Sequence, residues 1–174
     1  MIGGLGMRLG WVAAAAALSL APGAAHAFDA GAPPDVLGAI KAAGATAEIH
    51  QTPQGPVIAG NVDDSAFVME FSDCNPDKSS CRTTAYRTTW QVSPGPTLAQ
   101  INGWNLGASF CPAVLTAQGH PAISYTSEVA PGMTAQDVTA RFETYRGCLR
   151  AFNAFGPDPT AFLKSHQIEL PKTP

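Results

Sequence analysis

Residues 134–155 read TAQDVTARFETYRGCLRAFNAF, and their spacing decides the fold class. Val138, Phe142, Tyr145, Leu149 and Phe152 follow at steps of four, three, four and three. That is the period of one helical face, and such an apolar stripe must be covered by a core. Thr134-Ala-Gln-Asp137 resembles a capping box, with Asp in place of the longer Glu. The opposite face carries Ala140, Thr144, Gly147, Ala151 and Ala154, roughly 200° around. Small residues permit close approach. The expectation is a helix packed against its own domain on both sides, or simply an Ala-rich chain, with a homodimer contact as the sharper alternative. Arg141, Arg146 and Arg150 lie near one side with Glu143 between them, which reads as a solvated face rather than an anion site.

A helix with one apolar face needs a sheet or other helices to cover it. The chain ahead of it supplies both. Asp35 to Ala43 reads as a short helix stopped by Gly44. Residues 46–50, 57–62, 66–71 and 82–92 read as strands, the last with Tyr86 and Trp90 on one face. Whether the first half holds three strands or four stays open. Ser93-Pro-Gly-Pro96 is a hard break, and residues 97–105 read as a helix. Residues 110–116 and 122–129 then read as two strands around the turn Gln118-Gly-His-Pro121. The order is α-β-β-β-(β)-α-β-β-α. It predicts an α+β fold, an antiparallel sheet backed by helices. Gly156-Pro-Asp-Pro159 closes the domain, and residues 157–174 read as a Pro-rich tail with a short helix from Thr160 to His166. No internal repeat and no second domain is visible.

The first 27 residues read as targeting. Arg8 gives a positive start, Leu9 to Leu20 is apolar, Pro22-Gly23 breaks the run, and Ala25-His-Ala27 is a small-residue cleavage site. The apolar run is short of the ~20 residues of a comfortable membrane span. The expectation is a signal peptide cleaved after Ala27 and a periplasmic or secreted domain from residue 28 to 156. No Cys follows the run until Cys74, which argues against lipoprotein processing. Cleavage leaves 147 of the 174 residues, with 9 basic against 13 acidic, a net charge of −4. That sign disfavours nucleic acid and anionic membrane surfaces, which need clustered positive charge.

Cys74, Cys81, Cys111 and Cys148 all fall in the exported part. An even count in an exported chain points to disulfides, and four cysteines allow three pairings. Cys74–Cys81 would close a tight turn, and Cys111–Cys148 would tie a strand to the last long helix. Buried free thiols at Cys111 and Cys148 are the alternative. The spacing suits neither zinc nor a redox pair, since no C-x-x-C occurs and His50, His120 and His166 are scattered.

No nucleophile elbow, phosphate-binding loop or H-E-x-x-H occurs. Asp63, Asp64 and Glu70 stand near no obvious nucleophile. Asp73, Asn75, Asp77 and Ser79 alternate like calcium ligands, but Lys78 stands where a calcium loop needs Gly, and Thr84 where it needs Glu. A polar turn is the expectation. Trp104 reads as core rather than as an exposed anchor.

The segment Thr97-Leu-Ala-Gln-Ile-Asn-Gly-Trp-Asn105, taken with Phe71-Ser-Asp-Cys74, Cys81 and the strand pair leading into the long helix, resembles the YbjN-domain family. The similarity covers about Asp35 to Phe155, and Asn102, Trp104 and Asn105 carry the family's Asn-x-Trp-Asn signature. The resemblance implies a fold like the type III secretion chaperones and a role in sensory-transduction regulation in bacteria. It implies no reaction, no cofactor and no catalytic residue. Poverty in acidic turn residues and a Pro-rich tail set this chain apart, which bears on any shared partner. The expectation is a non-enzymatic domain that binds a protein or peptide, without metal or cofactor. The alternative is a small-ligand or redox-sensing domain that uses the cysteines, and an unrecognised enzyme ranks behind both.

Overall fold

The computed structural model describes residues 27–168. The expected signal peptide and the residues beyond 168 lie outside them. The described residues form an α+β fold. Helix α1 (Pro33–Ala42) leads into strands β1 (Thr46–Thr52), β2 (Gly55–Val62), β3 (Ser65–Cys74) and β4 (Cys81–Thr89). Helix α2 (Leu98–Gly107), strands β5 (Ala113–Leu115) and β6 (Pro121–Glu128), and helices α3 (Ala135–Phe155) and α4 (Pro159–Ser165) follow. The first half therefore holds four strands. The six strands make one antiparallel sheet in the order β1-β2-β3-β4-β6-β5.

Strand β3 shows why the sheet has one dry face. Ser65, Phe67, Met69 and Phe71 are buried, while Ala66, Val68, Glu70 and Ser72 are exposed. This period of two puts every second side chain on the helix side. There α3 lays down its stripe. Phe67 packs on Phe142 and Tyr145, and Tyr86 stacks on Tyr145 with centroids 5.0 Å apart. Further along, Trp90 meets Phe152 at 4.7 Å. Tyr86 and Trp90 thus face the same helix two turns apart, as their spacing predicts.

The cap of α3 forms as the sequence predicts. Thr134 Oγ1 accepts from the Asp137 N–H at 3.3 Å, and Asp137 Oδ2 accepts from the Thr134 N–H at 2.8 Å. Asp is long enough for the reciprocal bond. Thr97 and Gln100 do the same for α2.

Three boundaries depart from expectation. Strand β4 stops at Thr89 rather than Val92: the Trp90 N–H still bonds the Pro121 carbonyl, but Pro121 has no N–H to return and the ladder ends there. Strand β5 spans only Ala113–Leu115 rather than residues 110–116. Phe110 swings outward, 66% exposed. The tail from residue 157 carries the expected short helix, α4, started by Asp158, whose Oδ1 accepts from the Ala161 N–H at 2.9 Å; what differs is where the domain ends. Leu163 is buried, and Phe162 packs on Trp104 and Phe155. So α4 docks on the core, and the folded domain runs past residue 156 through α4.

Candidate functional site: the open sheet face

All outward positions of β2, β3 and β4 share one surface, opposite the helices. Val57, Val68 and Ala85 form an apolar floor there. The β1–β2 hairpin rises on one side and the loop Cys74–Cys81 on the other, leaving a shallow hollow of about 890 Å³. Val68 is 39% exposed, unusual for a valine at the middle of a central strand. Glu70 reaches diagonally from β3 to Arg87 of β4 at 3.9 Å, both half in solvent. Lys78 and Asp73 stand on the rim. An apolar strip edged by both charge signs suits an extended polypeptide better than a compact polar molecule.

The rim loop is held by its own side chains. Asn75 Nδ2 donates to Ser79 Oγ at 2.9 Å, and the Ser79 N–H donates to Asp77 Oδ1 at 3.1 Å. The Ser80 N–H donates to Asn75 Oδ1, and Thr83 Oγ1 donates to Asp73 Oδ2. The Ser79 amide bond holds the Asp77 carboxyl below its ordinary range. The four alternating oxygens are thus spent on the turn itself. Among the described residues no group of three His, Cys, Asp or Glu stands close enough to hold a metal.

The cysteines are brought together in two pairs. Cys74 and Cys81 are register partners on β3 and β4, Cα atoms 3.8 Å apart. Cys111 meets Cys148 of α3 at a Cα separation of 6.2 Å. In both pairs the sulfurs lie within bonding reach. The first pair staples the hollow's rim to its floor. The second anchors the segment entering β5 to the long helix.

The Asn-x-Trp-Asn residues serve the fold. Trp104 is 3% exposed and donates from Nε1 to the Cys111 carbonyl at 2.9 Å. Asn105 Nδ2 donates to the Ala113 carbonyl at 2.9 Å, and its Oδ1 accepts from the Ala113 N–H at 2.7 Å. One primary amide therefore does for Ala113, at the start of β5, what a residue of a further strand would do. Asn102 is exposed on α2.

Of the arginines of α3 only Arg150 stays mostly in solvent, as expected of that face, while Arg141 and Arg146 reach the sheet. Arg146 reaches the β2–β3 turn and grips Asp63 with Nε and Nη2, at 3.1 and 2.7 Å, while Nη1 binds Glu143 at 2.6 Å. Arg150 adds a contact to Asp63 at 3.3 Å. The Arg146 hydrogen bonds are the main reason the Asp63 carboxyl titrates below its ordinary range. Arg141 donates to Ser127 Oγ and to the Glu128 carbonyl. The small-residue face of α3 points away from the core instead of packing inside the domain: Ala140, Thr144 and Ala154 are exposed, and nothing lies within 4 Å of a Cβ placed at Gly147.

The histidines sit on separate elements. His50 is on the outward face of β1, His120 in the β5–β6 turn, and His166 stacks on Phe162 at the end of α4. The sheet floor, Val57, Val68 and Ala85, is the part that sequence reasoning missed. Its signal was a valine at an outward position of a strictly alternating strand. No helix among the described residues is long and apolar enough to cross a membrane. No family model matches the chain, and no curated protein matches it.

Proposed function

We propose that the chain is an exported bacterial binding module without catalytic activity, whose open sheet face takes an extended segment of a partner protein. The observation that carries this reading is the hollow over Val57, Val68 and Ala85, flanked by Glu70–Arg87 and walled by the Cys74–Cys81 loop. Apolar floor and paired charges are what a peptide in extended form needs: side-chain pockets below, charge matching along the sides. The likeness to the YbjN-domain family supports a regulatory or chaperone-like outcome of binding, and with it a fold related to the type III secretion chaperones. That support is fold-level analogy. The N-terminal residues up to Ala27 support export, and the paired cysteines suit an oxidising compartment.

The test is site-directed photo-crosslinking in intact cells, with the probe at Val68, followed by mass spectrometry of the adducts. The expected result is a small set of envelope proteins, lost when Arg87→Glu reverses the charge beside the floor. Adducts that are unspecific, or that ignore Arg87→Glu, would sink the reading. Loss of specific adducts on reduction would make the Cys74–Cys81 loop part of the binding surface.

A further inference from the structure

The two borders of the sheet are treated differently. At β5 the outward groups of Ala113 are met by Asn105. At the other border β1 runs seven residues, TAEIHQT, paired with β2 in unbroken register. It has no proline, no lysine and no bulge, the usual devices that keep an edge from pairing. Among the described residues no hydrogen bond reaches its outer side.

The direction of its free groups follows from the ladder. Gln51 stands opposite Pro56, which has no N–H to give. The two-residue turn Asp63-Asp64 closes on a hydrogen-bonded Val62–Ser65 pair. Ladder alternation therefore turns the backbone of Gly60, Ile58 and Pro56 toward β3 and leaves Gln51–Pro56 a non-hydrogen-bonded pair of β1 and β2. Ala47, Ile49 and Gln51 aim N–H and C=O away from β2, at the open border.

We infer that this border joins a second copy of the chain, β1 against β1 in antiparallel array, with a twofold axis at Ile49. The strand is its own complement about that residue. In this register Ile49 faces Ile49 of the second copy, and Ala47 faces Gln51. Those are the positions with outward backbone groups, so each facing pair exchanges both of its hydrogen bonds. Glu48 then stands opposite His50 of the second copy, and His50 opposite Glu48. Both side chains are exposed on the same outward face. They fall at non-hydrogen-bonded positions, where facing side chains come closest. Thr46 meets Thr52, another favourable cross-strand pair. A shift of the register by two residues would set Glu48 against Glu48 or His50 against His50, so only the register centred on Ile49 sets each carboxylate opposite an imidazole, which carries an N–H donor in either protonation state. On the helix side Ile49 is only half-buried, and its remaining surface is what the second copy would cover. The two sheets merge into one, and the open faces that the proposed function uses lie side by side. The inference does not depend on that function.

The test is analytical ultracentrifugation of the purified protein across its soluble concentration range. A reversible dimer is expected. His50→Glu puts Glu against Glu twice and should weaken it at least about tenfold. Glu48→His puts His against His and should weaken it less. The swap Glu48→His with His50→Glu restores the opposition and should recover most of the affinity. Gln51→Pro deletes an N–H that no internal bond uses, at an exposed edge position that tolerates proline, and should leave a folded monomer. A protein that stays monomeric at its highest soluble concentration overturns the inference. So does a dimer that survives Gln51→Pro with His50→Glu, or one broken by Gly147→Glu on α3 instead.

Discussion

Arg146 and Asp63 lie 83 residues apart in the chain and meet in a two-point ion pair, Nε to Oδ2 and Nη2 to Oδ1. The pair ties the long helix to the turn between β2 and β3. That turn is strained as well as charged. Asp63 and Asp64 both hold positive φ, 48° and 59°, the conformation a tight two-residue hairpin needs and a side chain resists.

The ion pair makes stability depend on acid pH. Asp63 has a folded value below its ordinary 3.8, chiefly through the Arg146 hydrogen bonds. A carboxyl depressed on folding contributes fully above its unfolded value, and the contribution is lost as pH falls through the lower folded value. Asp63→Asn should lower the urea midpoint at neutral pH and flatten its decline below about pH 4 relative to the parent. Equal acid slopes for parent and variant would show that the pair does not hold in solution.

The neighbouring turn position invites the opposite change. Asp64 is exposed and makes no hydrogen bond or ion pair among the described residues. Asp64→Gly removes the Cβ that resists positive φ and should raise stability by up to about 1 kcal/mol, net of the entropy glycine adds to the unfolded chain. Chemical denaturation reads this directly. A loss would mean that the turn is not left-handed at this residue.

A buried hydroxyl pair offers a sharper test of packing. Thr88 Oγ1 donates to the Ala66 carbonyl at 2.7 Å, so its one proton is used. The contact of 2.5 Å to Tyr145 must then be a bond donated by the tyrosine. Burial pushes the phenol of Tyr145 upward, and it stays neutral at any physiological pH. Thr88→Val should cost about 1–3 kcal/mol by stranding that phenol. Thr88→Val with Tyr145→Phe should cost less than the sum of the single changes. Simple additivity in the cycle would refute the bond.

Asn105→Ala should expose one donor and one acceptor of Ala113 and cost about 1–3 kcal/mol, with faster amide exchange at Ala113. Asn105→Asp keeps an acceptor for the N–H but turns a carboxylate toward the carbonyl, and should be worse than alanine. Unchanged exchange at Ala113 in both variants would show that another group covers the edge.

The cysteine pairs can be weighed separately. By loop entropy, Cys74→Ser with Cys81→Ser should cost about 2.5 kcal/mol and Cys111→Ser with Cys148→Ser about 4 kcal/mol. Peptide mapping without reductant should recover the peptides of each pair joined. Recovery of Cys111 and Cys148 as free thiols would leave only the rim staple.

Local periodicity explains what the sequence made legible. The stripe from Val138 to Phe152 needs only the helical repeat, and the capping box of α3 is complete within four residues. The strands of the first half follow from turn residues between apolar runs, but their number, three or four, is fixed only by the sheet register. The shortness of β5 was not legible. It depends on Asn105 occupying the border and on Phe110 turning outward, both set by tertiary packing. Arg146 looked like surface because its partner Asp63 is remote in sequence. The open floor was hidden for the same reason: Val57, Val68 and Ala85 become one surface only once register is known.

The amide of Asn105 has a consequence for crowding. A sheet whose two borders were both bare could recruit neighbours without end, and such growth is the route to fibres. Here Asn105 takes the outward groups of Ala113, and β5 is only three residues long, so that border offers Leu115 alone as a free rung. A neighbouring strand finds a seven-residue register at β1 and a single residue at β5, so strand addition is favoured at one end of the sheet. Removing the amide by Asn105→Ala frees Ala113 and lengthens the template at the second border.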